Sequence, residues 1–199
     1  MEPRQTDIDR HTGETSISLS INLDGEGEHD IVTGNGMLDH LLAQLSRHGL
    51  IDITLRAEGD LSTGWHHLVE DTAITLGRAF RGALGEGSGI RRMGHAFVPL
   101  DETLAMVAVD LSGRSYAVLD LSLDDAMVET LPGDLVRHFL ESFAIESRIT
   151  LHARILAGMN SHHKAEALFK ALAKALRYAV ELDPRGAGQI PSTKATIQG

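Results

Sequence analysis

The stretch His66-His67-Leu68-Val69-Glu70 recurs in the second half of the chain as His162-His163-Lys164-Ala165-Glu166. A further histidine precedes each copy, in Leu38-Asp39-His40 and in Val136-Arg137-His138. The two segments stand about 96 residues apart with a small difference in length between them, and recurrence at one offset is the signature of an internal repeat. We therefore predict two similar structural halves that carry the same set of histidines.

Hydrophobic periodicity around these motifs predicts the same order of elements in both halves. Alternating apolar and polar residues indicate half-buried strands, whereas apolar residues three and four apart indicate helices. The first half is predicted to contain strand, helix, strand and helix over residues 14–23, 35–49, 50–56 and 65–84, with Asn35 as the first N-cap. The second half is predicted to contain antiparallel strands over 96–111 and 115–123, a helix capped by Asp134, a strand over 150–156 and a helix over 161–179.

The boundaries of the halves follow from the repeat and from the absence of a linker. No stretch rich in proline or glycine separates them, so we expect residues 1–95 and 96–183 to pack as two lobes of one unit. Residues 184–199 form a tail whose prolines and glycines disfavour a helix and favour an extended segment.

Composition restricts the classes of function. The net charge of -10, without any long run of lysine or arginine, argues against nucleic-acid binding. No apolar run approaches the roughly 20 residues that cross a bilayer, and the polar start at residues 1–5 lacks the apolar core of a signal peptide. We therefore expect a cytoplasmic protein without a membrane partner.

The chain contains eleven histidines and no cysteine, so a bound metal must be held by imidazole and carboxylate. On a helix, Glu70 lies one turn from both His66 and His67, whereas the two histidines project about 100° apart. Each histidine of the pair is therefore expected to serve a different ion. Imidazole suits several transition metals, and the added carboxylate with open positions shifts the preference toward manganese.

The motifs, taken in order, resemble those of the imidazoleglycerol-phosphate dehydratase family. The resemblance runs from about Arg10 to Lys194, nearly the whole chain. Besides the histidine motifs, it rests on the segments Gly89-Ile90-Arg91-Arg92, Pro99-Leu100-Asp101-Glu102, Asp110-Leu111-Ser112-Gly113-Arg114, Glu166-Ala167-Leu168-Phe169-Lys170-Ala171 and Pro191-Ser192-Thr193-Lys194.

The resemblance implies a set of functional residues. The implied metal ligands, for two manganese ions per active site, are His40, His66, His67, Glu70, His138, His162, His163 and Glu166. The resemblance implies that Glu14 and His48 contact the substrate, and we expect them to be the general acid and base, in unassigned order. The tail is implied to help bind phosphate, and the other implied substrate contacts are Arg92, Arg114, Lys170, Ser192, Thr193 and Lys194.

The resemblance also implies a fold, an assembly and a reaction. The fold is α+β, an internal duplication in which each half is an antiparallel sheet with helices packed on one face. The assembly is a homo-oligomer of 24 subunits with metal sites between subunits. The reaction is the dehydration of imidazole glycerol phosphate to imidazole acetol phosphate in histidine biosynthesis. Because the abstracted hydrogen is not acidic, we expect an imidazolate bridged between two metal ions to supply the electrons.

Two segments depart from the family pattern. The family commonly has Asp-x-His-His-Thr where this chain has Gly64-Trp65-His66-His67-Leu68, so a carboxylate that would orient a metal-bound imidazole is expected to be missing. Ala195 stands where the family usually has glycine, which bears on the turn geometry of the tail.

Two other classes of protein fit part of the pattern. A non-catalytic, His-rich metal-binding assembly would need only the histidine helices and acidic charge, and it has no use for Arg92, Arg114 or the Ser192-Thr193-Lys194 tail. A two-metal hydrolase usually holds its paired ions with bridging carboxylates, whereas imidazole dominates here.

Overall fold

The computed structural model describes residues 3–186 and 188–197, so the predicted outer boundaries at residues 1 and 199 lie outside the described residues. The helices are α1 Gly36–Gly49, α2 His66–Leu84, α3 Gly133–Glu146 and α4 Ser161–Val180, with one 3-10 turn at Leu61–Thr63. The strands are β1 Gln5–His11, β2 Thr15–Asn22, β3 His29–Val32, β4 Asp52–Gly59, β5 Met93–Leu100, β6 Thr103–Asp110, β7 Tyr116–Asp120, β8 Met127–Val128, β9 Leu131–Pro132 and β10 Thr150–Ala157.

Eight of the strands form two four-stranded sheets of identical topology, and β8 and β9 form a separate two-stranded ribbon. The first sheet has the order β1-β2-β4-β3 and the second the order β5-β6-β10-β7. In both, neighbouring strands are antiparallel except at one edge, where β3 runs parallel to β4 and β7 runs parallel to β10. The predicted α+β fold with an internal duplication is therefore confirmed, and each sheet ends in one parallel pair.

Several local predictions for the second half were wrong. Residues 96–111 are not one strand but part of a hairpin, which turns at Asp101 with a φ of 47°. The segment 115–123 contributes β7, which is parallel rather than antiparallel to its neighbour because the ribbon β8–β9 and helix α3 return the chain to the same end of the sheet. Pro132, not Asp134, is the N-cap of α3, and Asp134 lies in the first turn, where the helix dipole favours a carboxylate.

Side-chain caps set the start of two of the helices. Asn35 caps α1 as predicted, because its side-chain oxygen accepts the backbone N–H groups of Met37 and Leu38. Asn160 caps α4 by accepting the N–H of His163. Helix α2 has no such cap: Trp65 occupies its N-cap position and makes no side-chain hydrogen bond there.

The four helices lie between the two sheets. Helix α2 packs on β1 and β2, and α4 packs on β5 and β6. The helices also pack across the halves, α1 on α4 and α2 on α3, so that both sheets and all four helices share one apolar core. Gly77 permits the second contact, since a Cβ there would stand 2.9 Å from the carbonyl oxygen of Phe143.

The tail folds back on the second half. Residues 184–186 and 188–197 form a series of turns rather than a single extended segment. The carbonyl oxygen of Gln189 accepts the N–H of Gly89, and Ile197 is buried. Among the described residues, no helix is both long enough and apolar enough to cross a membrane.

Gly94 in β5 sets the distance between the second sheet and α4. A Cβ at this position would stand 2.1 Å from the backbone oxygen of Ala175. We predict that Gly94→Ala lowers the free energy of unfolding by about 3 kcal/mol, since backbone atoms on both sides would have to move apart. Urea denaturation measures the change.

Gly13 provides the matched control for this substitution. A Cβ at Gly13 would meet no atom within 4 Å, so Gly13→Ala should change the free energy of unfolding by less than about 0.5 kcal/mol. Equal stabilities of the two variants would contradict the close approach of α4 to β5.

Candidate metal centre and basic pocket

One cluster of potential ligands, here called the first triad, joins His40 of α1 to His162 and Glu166 of α4. The Nε2 atoms of His40 and His162 lie 2.8 and 3.0 Å from the same oxygen, Oε2 of Glu166. Lys170, one turn further along α4, donates to the other carboxylate oxygen at 2.5 Å. The Glu166 side chain is mostly buried, with 13% of its surface exposed.

The second triad joins His138 of α3 to His66 and Glu70 of α2. His138 Nε2 lies 3.5 Å from Glu70 Oε1, and His66 Nε2 lies 3.9 Å from Glu70 Oε2. The two imidazole rings are stacked, with centroids 4.6 Å apart. This triad repeats the first, but Ile74 stands one turn after Glu70, where the first triad has a lysine.

In each triad, one histidine comes from one half of the chain, and the second histidine and the glutamate come from the other half. This exchange follows from the packing of α1 on α4 and of α2 on α3. The two triads share no residue, so within one chain they form separate centres. The sequence predicted the participating residues but not this pairing, because periodicity contains no information on which helices meet.

The donor set fits a divalent transition metal. In each triad two imidazole nitrogens and one carboxylate oxygen lie within 4.8 Å of one another, which is compatible with ligands of one ion. The buried Nε2 of His138 has no hydrogen-bond partner among the described residues, and a buried nitrogen in that state calls for a ligand. Two imidazoles and a carboxylate suit manganese as well as iron or zinc.

The remaining histidine of each pair points away from its triad. The rings of His66 and His67 are inclined by 88°, and those of His162 and His163 by 89°. His67 Nδ1 lies 3.4 Å from a carboxylate oxygen of Glu14. His163 and His67 are therefore placed outside both triads, available to a group that approaches from outside.

Local electrostatics shift the pKa values of Glu166 and His48. Partial burial raises the pKa of Glu166, but hydrogen bonds from Lys170, His40 and His162 outweigh it and lower the pKa to about 2. Burial, together with the charges of Lys170 and Lys174, lowers the pKa of His48. Glu166 is therefore ionised near neutral pH, and the neutral form of His48 is favoured.

The predicted phosphate contacts converge only in part. A cavity of about 260 Å³ is lined by Arg92, Ser112, Arg114, Ser192, Lys194, Thr196 and Ile197. Arg92 donates to both carboxylate oxygens of Asp110, at 2.7 and 3.0 Å, and to the carbonyl oxygen of Pro191. It thereby holds the tail against the sheet. The cavity combines cations and hydroxyl groups, the chemistry that recognises phosphate.

Four predicted residues lie elsewhere. Lys170 belongs to the surroundings of the first triad, and the exposed Thr193 does not line the basic cavity. Glu14 lies beside His67, while His48 Nε2 lies 3.2 Å from Oε1 of Gln44 on the same helix. Conversely, the sequence did not single out Ser112 and Thr196 as cavity residues, although Ser112 stands in one of the matching segments.

Taken together, the duplicated α+β fold and its two triads define a protein that presents two imidazole–carboxylate clusters and, apart from them, an anion pocket. A family model described as imidazoleglycerol-phosphate dehydratase matches residues 33–176. A protein of that name from Dehalococcoides mccartyi strain CBDB1 is 59% identical over 198 residues, covering 100% of both chains. Another, from Roseiflexus sp. strain RS-1, is 53% identical and covers 98% of both.

Solved structures give the same result. The imidazoleglycerol-phosphate dehydratase of Staphylococcus aureus subsp. aureus N315 superposes with a TM-score of 0.81 at 33% identity, over 90% of this chain and 99% of that one. The Pyrococcus furiosus protein, solved in complex with (S)-C348, superposes with a TM-score of 0.82 at 36% identity, over 95% of this chain and 99% of that one. The chain therefore belongs to the imidazoleglycerol-phosphate dehydratase family, and the predicted hydro-lyase class is confirmed.

We predict that each triad binds one divalent ion as a unit. His40→Ala and His162→Ala should empty the same site, so the double variant should lose no more manganese than either single variant. His40→Ala combined with His66→Ala should lose both ions, because the second substitution affects the other triad.

Manganese per chain, measured by elemental analysis after dialysis, decides between the pairings. A His40→Ala, His162→Ala variant that loses twice the metal of either single variant would show that these residues serve different ions.

Proposed function

We propose that this enzyme dehydrates imidazole glycerol phosphate to imidazole acetol phosphate, a step of histidine biosynthesis. The observation that carries the proposal is the presence of two triads and a basic, hydroxyl-lined cavity in a chain whose full-length relatives are named for this dehydration. A cluster that only stores metal has no need of an anion pocket. The cytoplasmic location predicted from the sequence stands as part of the same proposal.

The proposed cofactor is manganese, with two ions per active site. The ligands would be the six triad residues together with the outward-pointing His67 and His163. When bound, the ions would supply Lewis-acid stabilisation to the substrate imidazole, held between them as an imidazolate. The neighbouring positive charge of Lys170 distinguishes the first triad from the second.

Proton transfer is proposed for Glu14 and His48. One group must collect the proton from carbon and the other must donate one to the departing hydroxide. The lowered pKa of His48 favours its neutral form, which can accept a proton. Since Gln44 occupies its Nε2, Nδ1 is the atom left for that role. Glu14 is 56% exposed in its side chain and therefore accessible to a substrate.

The substrate phosphate is proposed to bind in the basic cavity. Arg114 and Lys194 supply charge, and the hydroxyl of Ser192 accepts the backbone N–H of Lys194, which shapes the turn. Arg92 contributes chiefly by fixing Asp110 and the tail, because its guanidinium is already engaged with both. The cavity thus keeps one end of the substrate fixed while the other end reacts.

We propose a homo-oligomer of 24 subunits with metal sites shared between subunits. The difference in polarity between the outer faces of the two sheets supports this assembly. The outer face of β2 carries Ser16, Ser18 and Ser20. On the second sheet, large apolar side chains face outward, with Phe97 60% and Tyr116 65% exposed. A face of this kind is suited to burial against a second copy of the chain.

A product assay tests the proposed function. The purified, manganese-loaded protein is incubated with imidazole glycerol phosphate, and the enolisable ketone of imidazole acetol phosphate is measured. Bound metal without ketone would favour the non-catalytic metal-binding assembly, and release of inorganic phosphate would favour the two-metal hydrolase.

Lys194 tests the phosphate pocket. We predict that Lys194→Ala costs about 1.5–3 kcal/mol of transition-state stabilisation, or roughly tenfold or more in kcat/KM, because one charge-assisted contact to the phosphate is lost. Arg185→Ala is the control, since Arg185 is an exposed cation of the same tail that does not line the cavity. Equal kinetics for the two variants would remove Lys194 from the substrate site.

Metal removal tests the shared sites. If His67 and His163 complete metal sites with a neighbouring subunit, chelation should reduce the size of the particle, as measured by sedimentation velocity. Restoring manganese should restore the size. A metal-free particle that sediments like the loaded one would contradict metal sites between subunits.

A further inference from the structure

Two glutamates occupy equivalent positions in the duplicated halves. Glu14 immediately precedes β2 in the β1–β2 hairpin, and Glu102 immediately precedes β6 in the β5–β6 hairpin. Each faces the second histidine of the pair in its own half, Glu14 facing His67 and Glu102 facing His163. Glu14 already has a proposed role in proton transfer, whereas nothing described so far uses Glu102.

The two glutamates differ in how firmly they are held. Glu102 Oε2 lies 2.7 Å from Nδ1 of His163, and its Oε1 accepts the backbone N–H groups of Met159 and Asn160 at 3.0 and 2.9 Å. The hydroxyl of Thr103 donates to the same Oε1 at 3.2 Å. This carboxylate therefore joins the hairpin, the start of α4 and the imidazole.

Within residues 3–186 and 188–197, Glu14 has no comparable anchor. Its carboxylate lies 3.4 Å from His67 Nδ1, and its side chain is 56% exposed, against 38% for Glu102. The Nδ1 of His67 also has the hydroxyl of Thr63 at 3.3 Å, so the imidazole does not depend on Glu14 alone. The carboxylate of the first half is thus held by fewer contacts than that of the second half.

The backbone around Gly158 is built for this fixed contact. Gly158 has a φ of 140°, and a Cβ on it would stand 2.4 Å from Oγ1 of Thr103. Only glycine adopts this conformation at so close an approach. The approach brings the N–H groups of Met159 and Asn160 within reach of Glu102.

We propose that Glu102 is a positioning residue that holds His163 in the tautomer with its proton on Nδ1. An ionised carboxylate can only accept a hydrogen bond, so the ring nitrogen facing it must be the protonated one. The lone pair of Nε2, which lies 3.8 Å from a carboxylate oxygen of the exposed Asp101, is then left to bind a metal ion. Such carboxylate–histidine pairs orient metal ligands and raise their basicity. The inference rests on the proposed function, in which His163 is a manganese ligand.

The Glu102→Gln variant distinguishes the positioning of His163 from the anchoring of helix α4. The amide oxygen of glutamine can still accept the N–H groups of Met159 and Asn160, which leaves its NH₂ group facing His163. Because that group donates, it would require Nδ1 to be the acceptor and would move the imidazole proton to Nε2. The variant should keep the thermal midpoint of the metal-free protein, yet bind manganese 10–100-fold more weakly at the site that includes His163.

Two further variants complete the comparison. Glu102→Ala removes both the helix anchor and the imidazole partner, so it should lower the thermal midpoint and weaken manganese binding less than Glu102→Gln does, since no wrong tautomer is imposed. Glu58→Gln removes an exposed carboxylate of β4 and controls for the loss of one negative charge. Calorimetric titration with manganese and ¹⁵N NMR of histidine-labelled, metal-free protein give affinity and tautomer.

Wild-type affinity for manganese in Glu102→Gln, or an unchanged His163 tautomer, would overturn the positioning role. That failure is distinguishable from failure of the proposed function, which would appear in the wild-type protein as absent manganese binding or absent ketone formation. His163→Asn assigns the NMR signal and the affected metal site in the same experiment.

Discussion

Two helix-on-helix contacts, α1 with α4 and α2 with α3, are the constraint on which the rest of the molecule depends. A histidine of α1 or α3 reaches its glutamate only because the partner helix lies alongside it. The contacts are close enough for Gly77 to be required at one of them, and they bury apolar residues of both halves in a single core. The sheets cover this four-helix layer from outside, and Gly94 lets α4 approach the second sheet closely.

The sequence predicted what depends on local periodicity and chemistry. The helices over 35–49 and 65–84 match α1 and α2 closely, since leucine spacing and the Asn35 cap are properties of a short segment. The edge strands β1 and β3 were missed because both are short of buried apolar residues, β1 being almost entirely polar apart from Ile8. The hairpin turn at Asp101 was missed because alternation continues on both sides of it.

For the candidate site, too, the sequence predicted the local features and missed the long-range ones. Residue types and spacing predicted the six residues of the triads together with His67 and His163, which lie outside the triads, and the family resemblance supplied most residues of the basic cavity. The grouping into triads required knowledge of which helices pack together, which is a long-range property. The separation of Lys170 from the basic cavity likewise follows from its position on α4 beside Glu166 rather than from its charge. Gly64 stands where the family commonly has an aspartate, and helix α2, which begins two residues later, has no side-chain cap.

The exchange of ligands between halves also bears on the origin of the chain. Two separate half-length chains related by a two-fold axis would form both triads at their interface, and symmetry would make the triads identical. Fusion of the two copies into one gene removes that requirement, so each centre can change alone. Such a fusion permits the observed differences: Lys170 in one half stands where Ile74 stands in the other, and Glu102 makes several hydrogen bonds whereas Glu14 is exposed. A symmetric ancestor could have bound metal at both centres, but it could not have given its two glutamates separate tasks.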